Sequence, residues 1–209
     1  MNQDNPVNTD KDKTYVVAIT GASGSIYGIR LVKAMIEQGY QVMVVLSRAG
    51  RQVLAHEMGY DPNLSFYDFL EHYGVSFSKG ASLEVFDQED IACGPASGSF
   101  VHSGMAVTPC SMKTLSAVAS GYGDNLITRS ADVALKEKRP LVLVPRETPF
   151  GIIHLENMAR AARAGAVIMP PNPSFYTFPG SVEALVDTVV IRIMDHLGVV
   201  HDLGQRWQS

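Results

Sequence analysis

Residues 15–39 read YVVAITGASGSIYGIRLVKAMIEQG, and this stretch decides the fold. The run Tyr15–Thr20 is short, apolar and rich in β-branched residues, and it stops at Gly21, which is typical of a buried strand. Ile26–Gln38 then carries apolar residues at helical spacing and ends before Gly39, so it predicts a helix. The stretch is therefore a strand, a glycine-rich turn and a helix, as in a parallel βαβ unit.

The same alternation continues along the chain. Further strands are predicted over Gln41–Leu46, Met105–Thr108, Leu141–Val144 and Ala166–Met169. Further helices are predicted after the caps Ser47 and Ser111, ending near Met58 and Gly121, and over Leu126–Lys138, Ile152–Ala164 and Val182–Leu197. Between Gly59 and Gly104 the pattern is weaker and indicates only short segments.

Alternating strands and helices favour right-handed crossovers and an α/β fold of the Rossmann or flavodoxin type. Such a fold has three layers, with a mostly parallel sheet covered by helices on both faces. No linker, repeat or low-complexity tract divides the chain, so we expect one domain over residues 14–209. Residues 1–13 are polar and are predicted to be a disordered head.

The composition excludes several classes of protein. The 209 residues include 17 Lys and Arg against 21 Asp and Glu, which gives a net charge of −4. The chain therefore lacks the excess of positive charge with which nucleic-acid-binding proteins replace the counterions of the phosphates. No apolar run approaches the roughly 20 residues of a membrane span, and the polar beginning lacks the apolar core of a signal peptide. Two cysteines, Cys93 and Cys110, are too few for a disulfide framework. We therefore expect a reduced, cytoplasmic protein without a nucleic-acid partner or a membrane span.

The turn Thr20–Ser25 is the first candidate binding site. In parallel sheets, ligands bind outside the carboxyl ends of the strands. Here a helix N-terminus supplies backbone N–H groups, two serines supply hydroxyls, and the glycines allow close approach, so the turn predicts a phosphate site. The alternative is a tight turn that only connects a strand to a helix.

The spacing of the glycines bears on which nucleotide would bind. Gly21, Gly24 and Gly28 do not fit the G-x-G-x-x-G pattern of dinucleotide sites, and the second strand ends in Ser47-Arg48 without a carboxylate. Only Arg48, which could bind the 2′-phosphate of NADP, leaves an NADP site open. A mononucleotide with one terminal phosphate, such as FMN, fits the short loop better.

Two further loops carry polar groups after predicted strands. Cys110–Thr114 offers hydroxyls and N–H groups to a ligand, although a capped core helix explains the same residues almost as well. Arg146 presents a planar fork suited to a phosphate or a flavin carbonyl, and the adjacent Glu147 is a candidate proton acceptor. The alternative for this pair is an exposed ion-pairing edge.

Three cations on predicted helices are candidates for binding an anion. Arg129 and Lys136 are seven residues apart and share one helical face, and Arg192 lies on the last helix. Most such residues belong to solvated surfaces, which is the alternative. Tyr176 lies in a proline-rich loop and could cover a hydrophobic ligand.

Several reaction classes lack their signatures. The histidines show no metal-ligand spacing, and neither G-x-S-x-G, a Walker A sequence nor an aspartate-rich diphosphate motif occurs. The sequence thus predicts a phosphate site without a metal.

Longer stretches show a resemblance to a known family. TGASGSIYGIRL, GPASGSF, TPCSMKTLSAVASGYGDNLI, RSADVALKEKRPLVLVPRETPF, IHLENM and PPNPSFYTFP resemble UbiX-like flavin prenyltransferases, from about Tyr15 to Trp207. This family belongs to a wider group of homo-oligomeric flavoproteins that includes cysteine decarboxylases. Those proteins carry a PASANT-type sequence where this chain has Pro95–Ser99, which favours the prenyltransferase branch.

The resemblance implies a reaction and partners. Reduced FMN would be the acceptor and dimethylallyl monophosphate the donor, with the allyl group joined first to flavin N5 and then to C6. The product, prenylated FMN, would serve a UbiD-like decarboxylase. Trimers would assemble into dodecamers, with FMN at the subunit boundaries.

Matching positions also imply residue roles. FMN would contact Gly21, Ala22, Ser23, Ser47, Ser111, Met112, Lys113, Thr114 and Arg146. The allylic phosphate would be held by Lys136, Arg129, Tyr176 and Arg192, with Glu57 and Trp207 also lining the site. Glu147 would assist proton movement during ring closure, and Ser23 would lie near N5. Ile91 stands where some relatives have a tryptophan near the prenyl group.

Two other functions remain open from the sequence. One is an FMN-dependent decarboxylase that acts directly on an aromatic or cysteinyl acid. The other is a non-catalytic FMN carrier, in which the arginines and lysines would be ordinary surface residues.

Overall fold

The computed structural model describes residues 13–204. Its six strands are β1 (Thr14–Ile19), β2 (Gln41–Leu46), β3 (Ser82–Asp87), β4 (Gly104–Cys110), β5 (Leu141–Pro145) and β6 (Val167–Ile168). Its helices are α1 (Ser25–Glu37), α2 (Arg48–Met58), α3 (Phe66–His72), α4 (Met112–Ser120), α5 (Leu126–Lys136), α6 (Ile152–Arg163) and α7 (Val182–Leu197). The predictions for residues 1–12, for residues 205–209 and for Trp207 lie outside the described residues.

The strands form one sheet in the order β3-β2-β1-β4-β5-β6, and every pairing is parallel. Side chains alternate across it: Val17 and Ile19 belong to the core on one face, whereas Val16 and Ala18 belong to the core on the other. The first core contains the buried residues of α1, α2, α3 and α7, and the second contains those of α4, α5 and α6. The predicted three-layer α/β fold is confirmed.

The sheet has a switch in strand order between β1 and β4. From β1 the chain proceeds to β2 and β3 on one side, and it then returns to β4 and continues to β5 and β6 on the other. The loops after β1 and β4 therefore leave in opposite directions, which opens a crevice at their carboxyl ends. This crevice determines where a ligand can bind.

The segment between Gly59 and Gly104 holds more structure than the sequence analysis expected. It forms α3, the edge strand β3 and a short 3₁₀ turn over Gly94–Ala96. β3 was not predicted, because its buried and exposed residues do not simply alternate. Its exposed residues are Ser82, Glu84, Val85 and Asp87. An edge strand that lies partly in water gives a weak hydrophobic signal.

Helix α1 packs unusually close to the sheet at Gly28. A Cβ atom there would lie 2.5 Å from the backbone oxygen of Thr108 and 2.9 Å from Cγ1 of Ile19. Glycine is therefore required because the helix backbone approaches β4 directly.

We expect Gly28→Ala to destabilise the protein. Alanine would gain at most about 1 kcal/mol of helix propensity, whereas forcing a methyl group against a backbone carbonyl costs about 1–3 kcal/mol. The midpoint of thermal or urea unfolding should therefore fall. Gly180→Ala is the control, since a Cβ atom at Gly180 meets nothing within 4 Å. An unchanged midpoint for Gly28→Ala would contradict the close contact of α1 with β4 at Gly28.

Candidate functional site

A groove of about 470 Å³ lies at the switch point, between the loops that follow β1, β2 and β4. Five residues predicted to bind FMN line it: Gly21, Ser47, Ser111, Lys113 and Thr114. Arg48, the one residue that kept an NADP site open, lines it as well. Ala22, Met112, Ser23 and Arg146 are not among the lining residues in the described part of the chain.

One wall of this groove was missed by the sequence analysis. It consists of Gln88, which follows β3, and of Tyr122, Asp124 and Asn125, between α4 and α5. The last three lie in one of the stretches that carry the family resemblance, but no chemical motif marked them. Asn125 caps α5, its side-chain oxygen accepting a hydrogen bond from Thr128 N at 3.1 Å.

Two helices begin at the floor of the groove, and each has the predicted serine cap. The hydroxyl of Ser47 accepts a hydrogen bond from Gly50 N at 2.8 Å, and that of Ser111 accepts one from Thr114 N at 3.3 Å. The N-terminal ends of α2 and α4 carry partial positive charge, which favours a bound anion. The volume of the groove is within the range of small-molecule sites. Its residues therefore fit a phosphorylated aromatic ligand such as FMN.

Gly21 allows the turn after β1 to meet the start of α2. A Cβ atom on Gly21 would lie 2.5 Å from Cβ of Ala49. A larger residue would separate these two segments, and the groove would lose this edge.

The N-terminus of α1 corrects one expectation. The backbone N–H groups of Gly24 and Ser25, which the sequence analysis offered to a phosphate, donate instead to the carboxylate of Glu57. The shortest of these bonds, from Ser25 N, is 2.8 Å. Glu57 lies on α2, more than thirty residues away, so no local pattern indicated this contact.

This arrangement fixes the charge of Glu57. Partial burial favours its neutral form, but hydrogen bonds from the side chain of Ser23 and from the backbone of the turn outweigh burial and lower the pKa of Glu57 below its ordinary value of 4.5. A carboxylate at a helix N-terminus is also stabilised by the helix dipole. Ser23, His56 and Glu57 line a shallow depression beside this turn.

Arg146 and Glu147 follow the end of β5. Arg146 Nε donates to the backbone oxygen of Ser23 at 3.1 Å, which ties the loop after β5 to the loop after β1. Glu147 is half-buried, and its Oε1 accepts a hydrogen bond from Thr148 N at 2.9 Å. The two loops expected to meet at this edge of the sheet are thus in contact through Arg146.

Arg129 and Lys136 face the same segment, as their spacing predicted. Arg129 Nε donates to the backbone oxygen of Ala96 at 3.2 Å, and a Cβ atom on Gly98 would lie 2.7 Å from Lys136 Nζ. Each cation also forms an ion pair with a carboxylate nearby in the sequence. Arg129 pairs with Asp132 at 2.7 Å, and Lys136 pairs with Glu137 at 2.6 Å. The helix therefore presents two cations along one side.

Tyr176 and Arg192 lie elsewhere. They line a second groove of about 520 Å³ beside α7, which belongs to the layer opposite to that of α5. A single chain therefore does not bring Arg192 together with Arg129 and Lys136. The expectation that these residues surround one phosphate is not met within one copy, because the sheet separates them.

Neither cysteine is poised as a nucleophile. Burial raises the pKa of the Cys110 thiol to about 12. The pKa of the Cys93 thiol is raised to about 11, mainly by desolvation and then by Asp90. Both remain protonated thiols at neutral pH, so the loop after β4 offers hydroxyl and N–H groups rather than a thiolate.

Within residues 13–204, no three His, Cys, Asp or Glu side chains come together in a way that could hold a metal ion. None of the helices in that range has the length and apolar character needed to cross a membrane.

Ile91, which the resemblance placed near the prenyl group, is 61% exposed.

Known proteins match nearly the whole chain. The Flavoprotein family matches residues 3–194. The flavin prenyltransferase UbiX of Pseudomonas aeruginosa is 47% identical over 195 residues, covering 91% of this chain and 92% of that protein. The UbiX of Archaeoglobus fulgidus is 48% identical over 193 residues, covering 92% and 98%.

Solved structures agree with these matches. The crystal structure of AnUbiX (PadA1) in complex with FMN and dimethylallyl pyrophosphate has a TM-score of 0.81 and 40% identity, covering 94% of this chain and all of that one. A dodecameric FMN-dependent UbiX-like decarboxylase from Escherichia coli O157:H7 has the same TM-score at 37% identity and the same coverage. The fold and the groove at its switch point are those of a flavoprotein. Within this class, the chain belongs to the UbiX flavin prenyltransferase family, which confirms the resemblance.

We expect Glu57→Gln to lower stability at neutral pH by about 0.5–1 kcal/mol, because the helix N-terminus loses a charged acceptor. The pKa of Glu57 is lower in the folded protein, so its contribution is complete above pH 4.5 and is lost as the pH falls through the folded pKa. The difference between the two proteins should therefore shrink between neutral pH and about pH 3. Urea unfolding of both proteins across this range measures it.

The control is Glu156→Gln, which changes an exposed glutamate on α6. If Glu57→Gln changed stability no more than this control does at each pH, the carboxylate would not act as the cap of α1.

Proposed function

We propose that this protein joins the dimethylallyl group of dimethylallyl monophosphate to N5 and C6 of reduced FMN, giving prenylated FMN. The observation that carries the proposal is the groove at the switch point, where two helix N-termini and serine and threonine hydroxyls converge on a space suited to a flavin mononucleotide. The UbiX relatives, which are named flavin prenyltransferases, and the related complex with FMN and dimethylallyl pyrophosphate support it.

Reduced FMN is a substrate in this proposal, and it supplies the nucleophilic N5 and C6 atoms. Gly21, Ser47 and Ser111–Thr114 would hold it in the groove, with the ends of α2 and α4 favouring its phosphate. Arg146 would contribute from the neighbouring loop, together with Ala22 and Ser23 of the first turn. The close approach at Gly21 keeps this edge of the site narrow.

The difficult step is the departure of phosphate from the allylic carbon. Negative charge grows on the departing oxygens, and fixed cations stabilise it most when they are already in place. Lys136, Arg129 and Arg192 would provide these cations, with the hydroxyl of Tyr176 as a further donor. In this proposal the reaction needs no metal, because side chains of the protein neutralise the phosphate.

The cations must come from different copies of the chain for this clamp to form. Arg129 and Lys136 lie on α5 and Arg192 lies on α7, in layers on opposite faces of the sheet. The dodecameric structure of the Escherichia coli relative supports an assembly that brings such surfaces together. We therefore propose a homo-oligomer, built of trimers joined into a dodecamer, with the active sites at the subunit boundaries.

Two carboxylates would have different roles in the reaction, Glu147 in moving a proton and Glu57 in lining the site. Glu147 lies directly after β5 on the loop that Arg146 ties to Ser23, so it can serve the ring-closing step at C6. Glu57 is fixed as a carboxylate by the N-terminus of α1, and it would keep the hydroxyl of Ser23 oriented near N5. A UbiD-like decarboxylase would use the product.

A second candidate function is direct decarboxylation of an aromatic acid. Two structurally related proteins favour it, an FMN-dependent UbiX-like decarboxylase from Escherichia coli O157:H7 and a phenylacrylic acid decarboxylase from Aquifex aeolicus. The second has 38% identity and a TM-score of 0.78. Release of CO₂ from a cinnamic-type acid by this protein alone would distinguish this activity from prenyl transfer.

We expect a flavin heavier by one five-carbon unit when the protein is incubated anaerobically with reduced FMN and dimethylallyl monophosphate, both without and with EDTA. Mass spectrometry of the released flavin measures the product. Dimethylallyl pyrophosphate replaces the monophosphate in a parallel reaction and tests the choice of donor. Unmodified FMN with both donors would refute the proposed reaction, and a product that disappears with EDTA would refute its independence from metals.

We expect Lys136→Ala to reduce the rate of prenyl transfer by about 10²–10³, because one preorganised cation no longer meets the departing phosphate. Single-turnover formation of the heavier flavin measures this rate. Lys79→Ala is the matched control, since it removes another exposed lysine without touching α5. A wild-type rate for Lys136→Ala would remove Lys136 from the phosphate clamp.

A further inference from the structure

Arg192 is joined to the protein interior by two further side chains. Its Nη1 donates to Asp195 Oδ2 at 2.9 Å, one helical turn further along α7. The other oxygen of that carboxylate, Oδ1, lies 3.2 Å from Nε2 of His201, which follows the helix. The Arg192 side chain is 57% exposed, whereas that of His201 is 1% exposed. A buried imidazole, a carboxylate and an exposed guanidinium thus form one connected series.

His201 is buried and contacts Asp195 through one ring nitrogen. Its other ring nitrogen, Nδ1, is buried and has no hydrogen-bond partner among residues 13–204. A carboxylate oxygen can only accept a hydrogen bond, so Nε2 carries a proton and donates it to Asp195. His201 is therefore a fixed donor to the Asp195 carboxylate.

The segment after α7 is anchored by contacts other than that of His201. The Tyr40 hydroxyl donates to the backbone oxygen of Val200 at 2.9 Å and accepts from Val200 N at 3.1 Å. Gln38 Nε2 donates to Asp202 Oδ1 at 2.7 Å. These bonds hold the residues on either side of His201 against α1 and the loop that follows it. The contact between His201 and Asp195 is therefore not needed to hold the segment in place.

The pairing leaves the guanidinium able to bind an anion. A guanidinium has five N–H donors in a planar fork, and the Asp195 contact uses Nη1. An exposed arginine samples many rotamers, and fixing it before the ligand arrives removes part of the entropy cost of binding. Arg192 and Asp195 both line the second groove, together with Tyr176, so the fixed fork lies where an anion can reach it.

We infer that Asp195 and His201 are positioning residues that orient Arg192 toward the phosphate of the allylic donor. This inference rests on the proposed function, in which Arg192 binds that phosphate. Neither residue touches the donor in this scheme. Asp195 fixes the guanidinium plane, and His201 fixes the Asp195 carboxylate.

The test compares Asp195→Asn, His201→Ala and His201→Gln with the wild-type protein loaded with FMN. We expect KM for dimethylallyl monophosphate to rise about tenfold in Asp195→Asn and His201→Ala, as expected for a charge-assisted contact. We expect kcat to stay within about threefold, because a contact made to the bound donor before and during the reaction acts mainly on KM. His201→Gln keeps an N–H donor and should restore KM to within about threefold of wild type.

Gln38→Ala is the matched control. It removes a hydrogen bond to the same C-terminal segment without touching Arg192, and its KM should equal that of the wild-type protein. Unfolding midpoints of all variants show whether each one is folded. An unchanged KM in Asp195→Asn and His201→Ala, an equal rise in Gln38→Ala, or failure of His201→Gln to restore KM would overturn the inference.

Calorimetric binding of dimethylallyl monophosphate to the FMN-loaded protein separates this inference from the proposed function. If the wild-type protein binds the donor but forms no prenylated flavin, the proposed reaction fails, and a tenfold loss of affinity in the two variants still supports the positioning role. Equal affinities in all variants would overturn that role even where prenyl transfer is seen. A wild-type protein that does not bind the donor would overturn both.

Discussion

The side chain of Thr20 joins the two strands between which the site opens. It is fully buried, its hydroxyl donates to the backbone oxygen of Pro109 at 2.8 Å, and it accepts from Ser111 N at 2.8 Å. The carboxyl ends of β1 and β4 are thereby held together at the point where the strand order reverses. Ser111, the cap of α4, belongs to this junction, and the turn at Gly21 begins directly after it. Ser47, the cap of α2, is attached to the end of β1 through its N–H group, which donates to the backbone oxygen of Ile19 at 3.1 Å.

The sequence pattern predicted most of the fold because the longer helices bury one apolar face and the central strands, buried on both faces, are continuous apolar runs. β2 and α7 have the predicted boundaries, and the caps at Ser47 and Ser111 lie where their spacing placed them. Local pattern could not predict the contact of Glu57 with the turn before α1, or that of His201 with Asp195 across a helix end. Both contacts arise from the packing of one element against another. The division of the cations between two layers likewise depends on strand order, which single segments do not encode.

The three cations of the proposed phosphate clamp share one property. Arg129 pairs with Asp132, Lys136 with Glu137 and Arg192 with Asp195, each within four residues along the chain. Such local pairs are weak where they are exposed, so they do little for stability. They do offset the repulsion that like charges would otherwise meet when copies bring them together. The neighbouring carboxylates would therefore make a shared anion site compatible with the proposed assembly.

The two edges of the sheet have a consequence for how copies of this chain can associate. β3 exposes Glu84 and Asp87 to solvent, and β6 has only two residues and is followed by Pro170 and Pro171. Acidic side chains, prolines and a very short strand all discourage the addition of a strand from another molecule. Continuation of the sheet from one copy into the next is thus disfavoured at both ends. Helical surfaces and loops are left as the means of contact, which would protect the proposed homo-oligomer from forming open-ended β-aggregates.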